Sequence, residues 1–282
     1  MHRTIISNPA LGHILKSAAA TVLAAGFAFW VGYCSSADAV PICGCADDDL
    51  TTVPDAVFAQ AQQASADDVR RVCLTFDDGP SHNTEKVLQI LAEQRVPATF
   101  FVIAAENNQK YLPLLARQIE QGHQIALHSA THDYSKIYQS PDAYWQDIET
   151  LKQQLSAYVD TDGINYLRFP GGSTNTISRR YGGSGIMKTL KQQAEEKGYH
   201  WIDWNVCAED AAGGKPSAAR IYKNVVQDAA NLSTCVVLMH DTAATGNTVE
   251  ALPDIIAWFK ENGYTFCTVR DIYPLNSVFS GL

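Results

Sequence analysis

Leu74-Thr75-Phe76-Asp77-Asp78-Gly79-Pro80 is the stretch that decides how this chain folds and where its chemistry sits. An apolar, β-forming run (Val72, Cys73, Leu74, Phe76) ends in two adjacent carboxylates and a Gly-Pro turn. Like charges side by side at a strand end repel, and desolvating them is costly unless a cation or a proton compensates. A metal resolves that conflict, with one carboxylate as its ligand and the other as a base toward water. Taken alone, the pair reads equally well as a solvated turn, because Asp, Gly and Pro are the usual turn residues.

Further along, the apolar run Gln124-Ile125-Ala126-Leu127 ends in His128-Ser129-Ala130-Thr131-His132. Two histidines four apart at a strand end have the spacing of paired metal ligands. Such a pair also arises by chance, but with Asp77-Asp78 it completes an Asp-His-His set. Three protein ligands leave one position open, as catalytic zinc sites do. Mixed oxygen and nitrogen donors fit one divalent ion, zinc, cobalt or manganese, and exclude a thiolate-type structural site. The other histidines outside a motif, His2, His13, His82, His123 and His200, read as structural or solvated.

The same pattern recurs. Cys235 to Met239 runs into His240-Asp241, and Ile164 to Leu167 runs into Arg168-Phe169-Pro170-Gly171-Gly172, whose glycines let backbone N–H groups approach a ligand. Trp201 to Val206 leads into Cys207-Ala208-Glu209-Asp210. Between these runs lie helical patterns near 84–94, 110–121, 142–158, 187–197, 217–231 and 248–261. Strands are expected near 71–76, 99–103, 124–128, 166–169, 200–206, 235–239 and 264–268. Regular alternation implies parallel βαβ units. The chemical residues gather at the C-terminal ends of strands, where α/β barrels keep their active sites. The fold class is therefore α/β, a distorted (β/α)7-type barrel with a central parallel sheet.

Thr-Phe-Asp-Asp-Gly-Pro, His-Ser-x-x-His, Arg-Phe-Pro-Gly-Gly, Asp-Trp-Asn-Val-x-x-x-Asp and Leu-Met-His-Asp, in this order, resemble the motifs of the polysaccharide deacetylase family (NodB homology domain). The resemblance runs from about Val69 to Pro274 and implies metal-dependent release of acetyl groups from N-acetylated glycans such as peptidoglycan and chitin. It also implies the individual roles. Asp77 matches the catalytic base, Asp78 the ligating aspartate, and His128 and His132 the two histidine ligands. Arg168 matches the arginine that holds the base, His240 the general acid, and Asp210 the aspartate that tunes it. Leu238 falls where an apolar residue lines the acetyl pocket, Gly171 where a backbone N–H binds the oxyanion, and Trp204 is counted with the substrate-binding residues. Two positions depart from the family pattern. Gly171 replaces a tyrosine, which keeps the N–H and loses a sugar-contacting ring, and Ala211 replaces a tryptophan after Asp210, which removes a wall of the groove.

The 282 residues suffice for one barrel domain and a tail, and 46% are hydrophobic, enough for a large core. A net charge of −9 argues against nucleic acid and against electrostatic capture by an anionic wall. Residues 1–39 carry Arg3 and Lys16 before an uncharged apolar run from Ser17 to Cys34, near the length of a membrane span, then Ala37-Asp38-Ala39, which suits signal cleavage. Export signal and membrane anchor both place the enzyme outside the cytoplasm, and the membrane is a partner only through this segment. Residues 40–68 read as a linker with a short helix near 53–65, residues 69–275 as the catalytic domain, and 276–282 as a C-terminal tail. Seven cysteines leave at least one unpaired, and Cys73, Cys235 and Cys267 sit in apolar strand runs as small hydrophobes. The expected partner is an acetylated polysaccharide, peptidoglycan first. Xylan O-acetyl groups, chitooligosaccharides, and an inactive glycan-binding domain are the competing readings.

Overall fold

The computed structural model describes residues 69–274. The expected signal or anchor, the linker with its helix and the C-terminal tail lie outside the described residues. Among the described residues no helix is long and apolar enough to cross a membrane.

Three central strands are buried throughout or nearly so: β1 (Arg71–Asp77), β2 (Thr99–Ile103) and β3 (Gln124–Ser129). Burial on both faces is what a parallel sheet under helices demands, and it explains why these runs are continuously apolar rather than alternating. β4 (Tyr166–Leu167), β5 (His200–Trp201), β6 (Val206–Cys207), β7 (Thr234–His240) and β8 (Thr265–Phe266) complete the sheet. The strand order is β5-β4-β3-β2-β1-β7-β6, all pairs parallel. β8 lies beside the start of β1, at Arg71 and Val72, whereas β2 pairs with its end, from Thr75 to Asp77.

The expected strand over 200–206 is in fact two. β5 pairs with β4 and β6 pairs with β7, at opposite ends of the strand order. Five residue steps from Trp201 to Val206 span at most ~18 Å. The sheet must therefore curl until its two edges nearly meet. Residues Ile202 to Asn205 cross the gap, with Ile202 N–H donating to Leu167 O (2.9 Å) and Asn205 N–H to Val236 O (3.2 Å). This is the distorted barrel the alternation predicts, closed by a loop instead of by a strand pair.

The period-two alternation of β1 sorts its side chains. Val72, Leu74 and Phe76 join the large core under the helices, while Cys73 faces the inside of the curl with Phe101, Ala126, Ile202, Val236 and Cys267. The inward column of β1 is thus Cys73, Thr75 and Asp77. On β7 it is Val236, Leu238 and His240, because Thr75 pairs with Leu238 and Asp77 with His240.

The helices are held mainly by packing. The longest of the described helices, Gly246–Glu261, contains Pro253 yet buries Leu252, Ile255, Ile256 and Phe259. A proline inside a helix costs ~3 kcal/mol, and each fully buried side chain of this size contributes ~1.5–3 kcal/mol, so the buried stripe prevails. The helix Pro141–Leu155 starts where the sequence says it should: Ser140 accepts from the Ala143 N–H (3.1 Å), and proline occupies the first turn.

Candidate active site

Asp77 and Asp78 end β1, His128 lies near the end of β3, His132 follows it, Arg168 follows β4, Asp210 follows β6, and His240 ends β7. Five chain segments thereby deliver their polar ends to one rim of the curl.

Asp78, His128 and His132 converge, with their ligand atoms all within 4.8 Å of one another. His128 Nε2 lies 3.5 Å and His132 Nε2 3.3 Å from Asp78 Oδ1. Asp78 Oδ1 is buried and accepts no hydrogen bond. A buried carboxylate oxygen left unpaired and faced by two imidazole nitrogens is what a divalent cation would satisfy. His128 is oriented for that task, because its Nδ1 donates to Arg168 O (2.6 Å) and leaves the Nε2 lone pair directed at Asp78. Burial holds the His128 pKa down at about 3, so the ring is neutral and able to ligate.

The backbone around these ligands is strained. Asp78 (φ 66°) and His132 (φ 52°) both adopt the left-handed region although neither is glycine. Hydrogen bonds over-determine both loops. Asp147, buried on the helix Pro141–Leu155, accepts from Ser129 Oγ (2.6 Å), Ala130 N (2.8 Å), Thr131 N (3.2 Å) and Thr131 Oγ1 (2.9 Å). Asp241 accepts from Ser81 Oγ (3.1 Å) and Thr84 Oγ1 (2.5 Å), and Asn108 Nδ2 donates to the carbonyls of Asp78 and Pro80 (2.9 Å each). Glycine is required at 79, where a Cβ would stand 2.6 Å from Asp241 Oδ2. Asp147 and Asp241 are structural supports of these loops that the sequence reading passed over. Asp241 was findable as the immediate neighbour of His240, whereas Asp147 reads in sequence as one more helix acid.

Arg168 is wholly buried in the mouth of the curl. Its Nη1 donates to Asp77 Oδ1 (2.7 Å) and Thr75 Oγ1 (2.9 Å), its Nε to Ile202 O (2.9 Å) and its Nη2 to Asp203 O (3.1 Å). The guanidinium lies 4.0 Å from the Phe101 ring centroid and 5.6 Å from that of Trp204. A buried guanidinium with its donors so occupied fixes one oxygen of Asp77 and leaves Oδ2, 3.8 Å from His128 Nε2, facing the ligand cluster. Burial raises the Asp77 pKa, while Arg168, His240 and His132 pull it down without cancelling the rise. Arg168 is the largest of the influences that lower the Asp77 pKa, and burial opposes it. A divalent cation beside Asp78 would act in the same direction as Arg168.

On the opposite wall, Asp210 Oδ1 pairs with His240 Nδ1 (2.8 Å), and Asp210 Oδ2 accepts from His240 N (2.7 Å) and Thr248 Oγ1 (2.8 Å). Desolvation would lower the His240 pKa, but the Asp210 carboxylate outweighs it and, with Asp78 and Asp77, lifts it to about 9. Leu238 is buried on the inward face of β7 next to His240. Trp204, on the crossing loop, packs against the turn after Arg168: a Cβ at Gly172 would stand 3.0 Å from its ring. The Gly171 N–H donates to no acceptor among the described residues, and Gly171 has φ 80°. All ten residues singled out in the sequence thus fall in or around one rim. Cys207, Cys73, Cys235 and Cys267 are free thiols.

Comparison with known proteins agrees with this geometry. The family described as polysaccharide deacetylase matches residues 64–199, which include Asp77, Asp78, His128, His132 and Arg168 but stop short of Asp210 and His240. The solved catalytic domain of a peptidoglycan N-acetylglucosamine deacetylase from Eubacterium rectale is 36% identical, with a TM-score of 0.68, covering 76% of this chain and 96% of that one. A peptidoglycan-N-acetylglucosamine deacetylase of Bacillus cereus is 30% identical over 204 residues, 71% of this chain and 87% of the relative. A bifunctional xylanase/deacetylase of Pseudobutyrivibrio xylanivorans is 31% identical over 73% of this chain, which spans 31% of that larger protein. The long overlap with relatives at or above 30% identity, on a shared fold, establishes that the chain belongs to the polysaccharide deacetylase family.

Proposed function

We propose that this chain removes acetyl groups from N-acetylglucosamine units of a cell-wall polysaccharide, peptidoglycan first, using one divalent metal ion, preferably zinc. The observation that carries the reading is the convergence of Asp78, His128 and His132 between a carboxylate held by Arg168 and a histidine held by Asp210.

Asp78, His128 and His132 would hold the cation, which when bound supplies Lewis acidity, polarising a carbonyl and acidifying water. Asp77 accepts a proton from the attacking water through Oδ2, while Arg168 keeps Oδ1 in place. The Gly171 N–H donates to the oxygen of the tetrahedral intermediate, a contact whose loss typically costs ~10²–10³ in rate. His240 enters protonated, since its pKa lies near 9, and passes its proton to the departing amine nitrogen. Asp210 holds Nδ1 and so leaves Nε2 as the delivering atom. Leu238 shapes an apolar seat for the acetyl methyl, and Trp204 borders the sugar. Acetate and a glucosamine unit are the products.

A substrate in the wall places the enzyme outside the cytoplasm, and the apolar segment at 17–34 would carry it there or anchor it. The xylanase/deacetylase relative favours one second reading, O-deacetylation of a plant xylan. Measuring acetate release from peptidoglycan, chitooligosaccharides and acetylxylan, with metal-stripped and zinc-, cobalt- or manganese-reconstituted protein, decides between them. Activity that persists after stripping, or that is confined to acetylxylan, overturns the reading.

A further inference from the structure

Gly171 stands where the family pattern has a tyrosine, and the space above it is not empty. A Cβ at Gly171 would lie 3.0 Å from Tyr134 Oη, 3.4 Å from Tyr134 Cε1 and 3.3 Å from Asn175 Cβ. The tip of Tyr134 therefore occupies the space into which a side chain at Gly171 would project. The same ring meets the ligand His132 edge to face, with centroids 5.4 Å apart and planes at 72°. It also stacks on Tyr138 (5.9 Å, 24°), whose hydroxyl donates to Pro170 O (2.8 Å). Tyr134 thus bridges the histidine-ligand loop and the Pro-Gly-Gly turn. It is neither buried nor fully exposed.

We propose that Tyr134 is a specificity-determining residue that supplies, from the histidine loop, the sugar contact that Gly171 lacks, its hydroxyl hydrogen-bonding the N-acetylglucosamine unit under attack. This rests on the deacetylase reading given above. An aromatic ring fixed on two sides is suited to the task, because little side-chain freedom remains to be lost on binding. Gly171 and Tyr134 are then a matched pair, since a side chain at 171 would push the ring away.

The test uses the full chain loaded with zinc and two substrates: an N-acetylglucosamine tetramer, and 4-nitrophenyl acetate, which has no sugar. Tyr134→Phe is expected to raise KM for the tetramer by ~5–10-fold, the contribution of one neutral hydrogen bond, with a much smaller change in kcat. Tyr134→Ala is expected to raise it by ~10–100-fold, since the ring goes too. In both Tyr134 variants, kcat/KM for the aryl ester and the zinc content should stay within ~2-fold of the parent, as loss of a sugar contact alone predicts. An unchanged tetramer KM in Tyr134→Phe overturns the assignment. Equal losses on both substrates, accompanied by lost zinc, also overturn it, because Tyr134 would then merely hold His132. A parent chain that releases no acetate from the tetramer overturns the deacetylase reading together with this assignment.

Discussion

The two walls of the site use the same interaction to opposite ends. On one wall, Arg168 holds Asp77; on the other, Asp210 holds His240. Arg168 is fully buried and donates to four partners, and a guanidinium does not act as a proton donor in proteins, so its pair is a fixed electrostatic frame. His240 lies at the rim and an imidazolium can lose its proton, so under the proposed mechanism its pair changes charge during the reaction cycle. The comparison teaches that geometry alone does not distinguish a positioning pair from a proton-transferring pair. What distinguishes them is whether the cation can be deprotonated.

The most severe break of this asymmetry comes from the base. Asp77→Asn is expected to lower kcat by ~10³–10⁴ on the N-acetylglucosamine tetramer and on 4-nitrophenyl acetate alike, because water must be activated in both reactions. Bound metal, measured by elemental analysis, should be unchanged, and near-normal turnover would put the base elsewhere. Removing the frame is next. Arg168→Met leaves the Asp77 carboxylate buried without its partner and should cost ~3–5 kcal/mol in urea unfolding. A loss below ~1 kcal/mol would show that the guanidinium is not the compensating charge.

His240→Ala sharpens the contrast. It should slow the amide substrate by ~10²-fold and the aryl acetate far less, because a phenolate departs without a proton. Equal losses would assign His240 to some task other than proton delivery, such as maintaining the acetyl pocket with Leu238. The smallest effect concerns pH. A histidine with a raised pKa is protonated below that value, so kcat/KM for the amide should fall as pH rises through about 9. Asp210→Asn removes the main raising influence and should move this limb down by ~1–3 units, with little change at pH 6. A limb that stays in place in the variant would break the link between Asp210 and the acid.

The Asp-Asp, His-x-x-x-His, Arg and His-Asp groups were legible in the sequence because each terminates an apolar run, and a parallel barrel puts all strand C-termini on one rim. The alternation of strands and helices was legible for the same reason, since continuous apolar runs bounded by turn residues have few other uses. The strand expected at 200–206 was misjudged, because an apolar run does not reveal that its two halves pair with opposite edges of a curled sheet.

By itself, then, the sequence determined which side chains can carry charge, ligate or transfer a proton, and at which end of the fold they lie. Tertiary structure decided which of them touch. It placed the mid-helix acid Asp147 under the histidine loop, Asp241 against Gly79, and the Tyr134 phenol over Gly171. These contacts join residues 16 to 162 positions apart in pairs that no local spacing encodes. The physical reason is that periodicity fixes the face on which a side chain stands, whereas the partner across the gap depends on how the helices and loops pack over the curl.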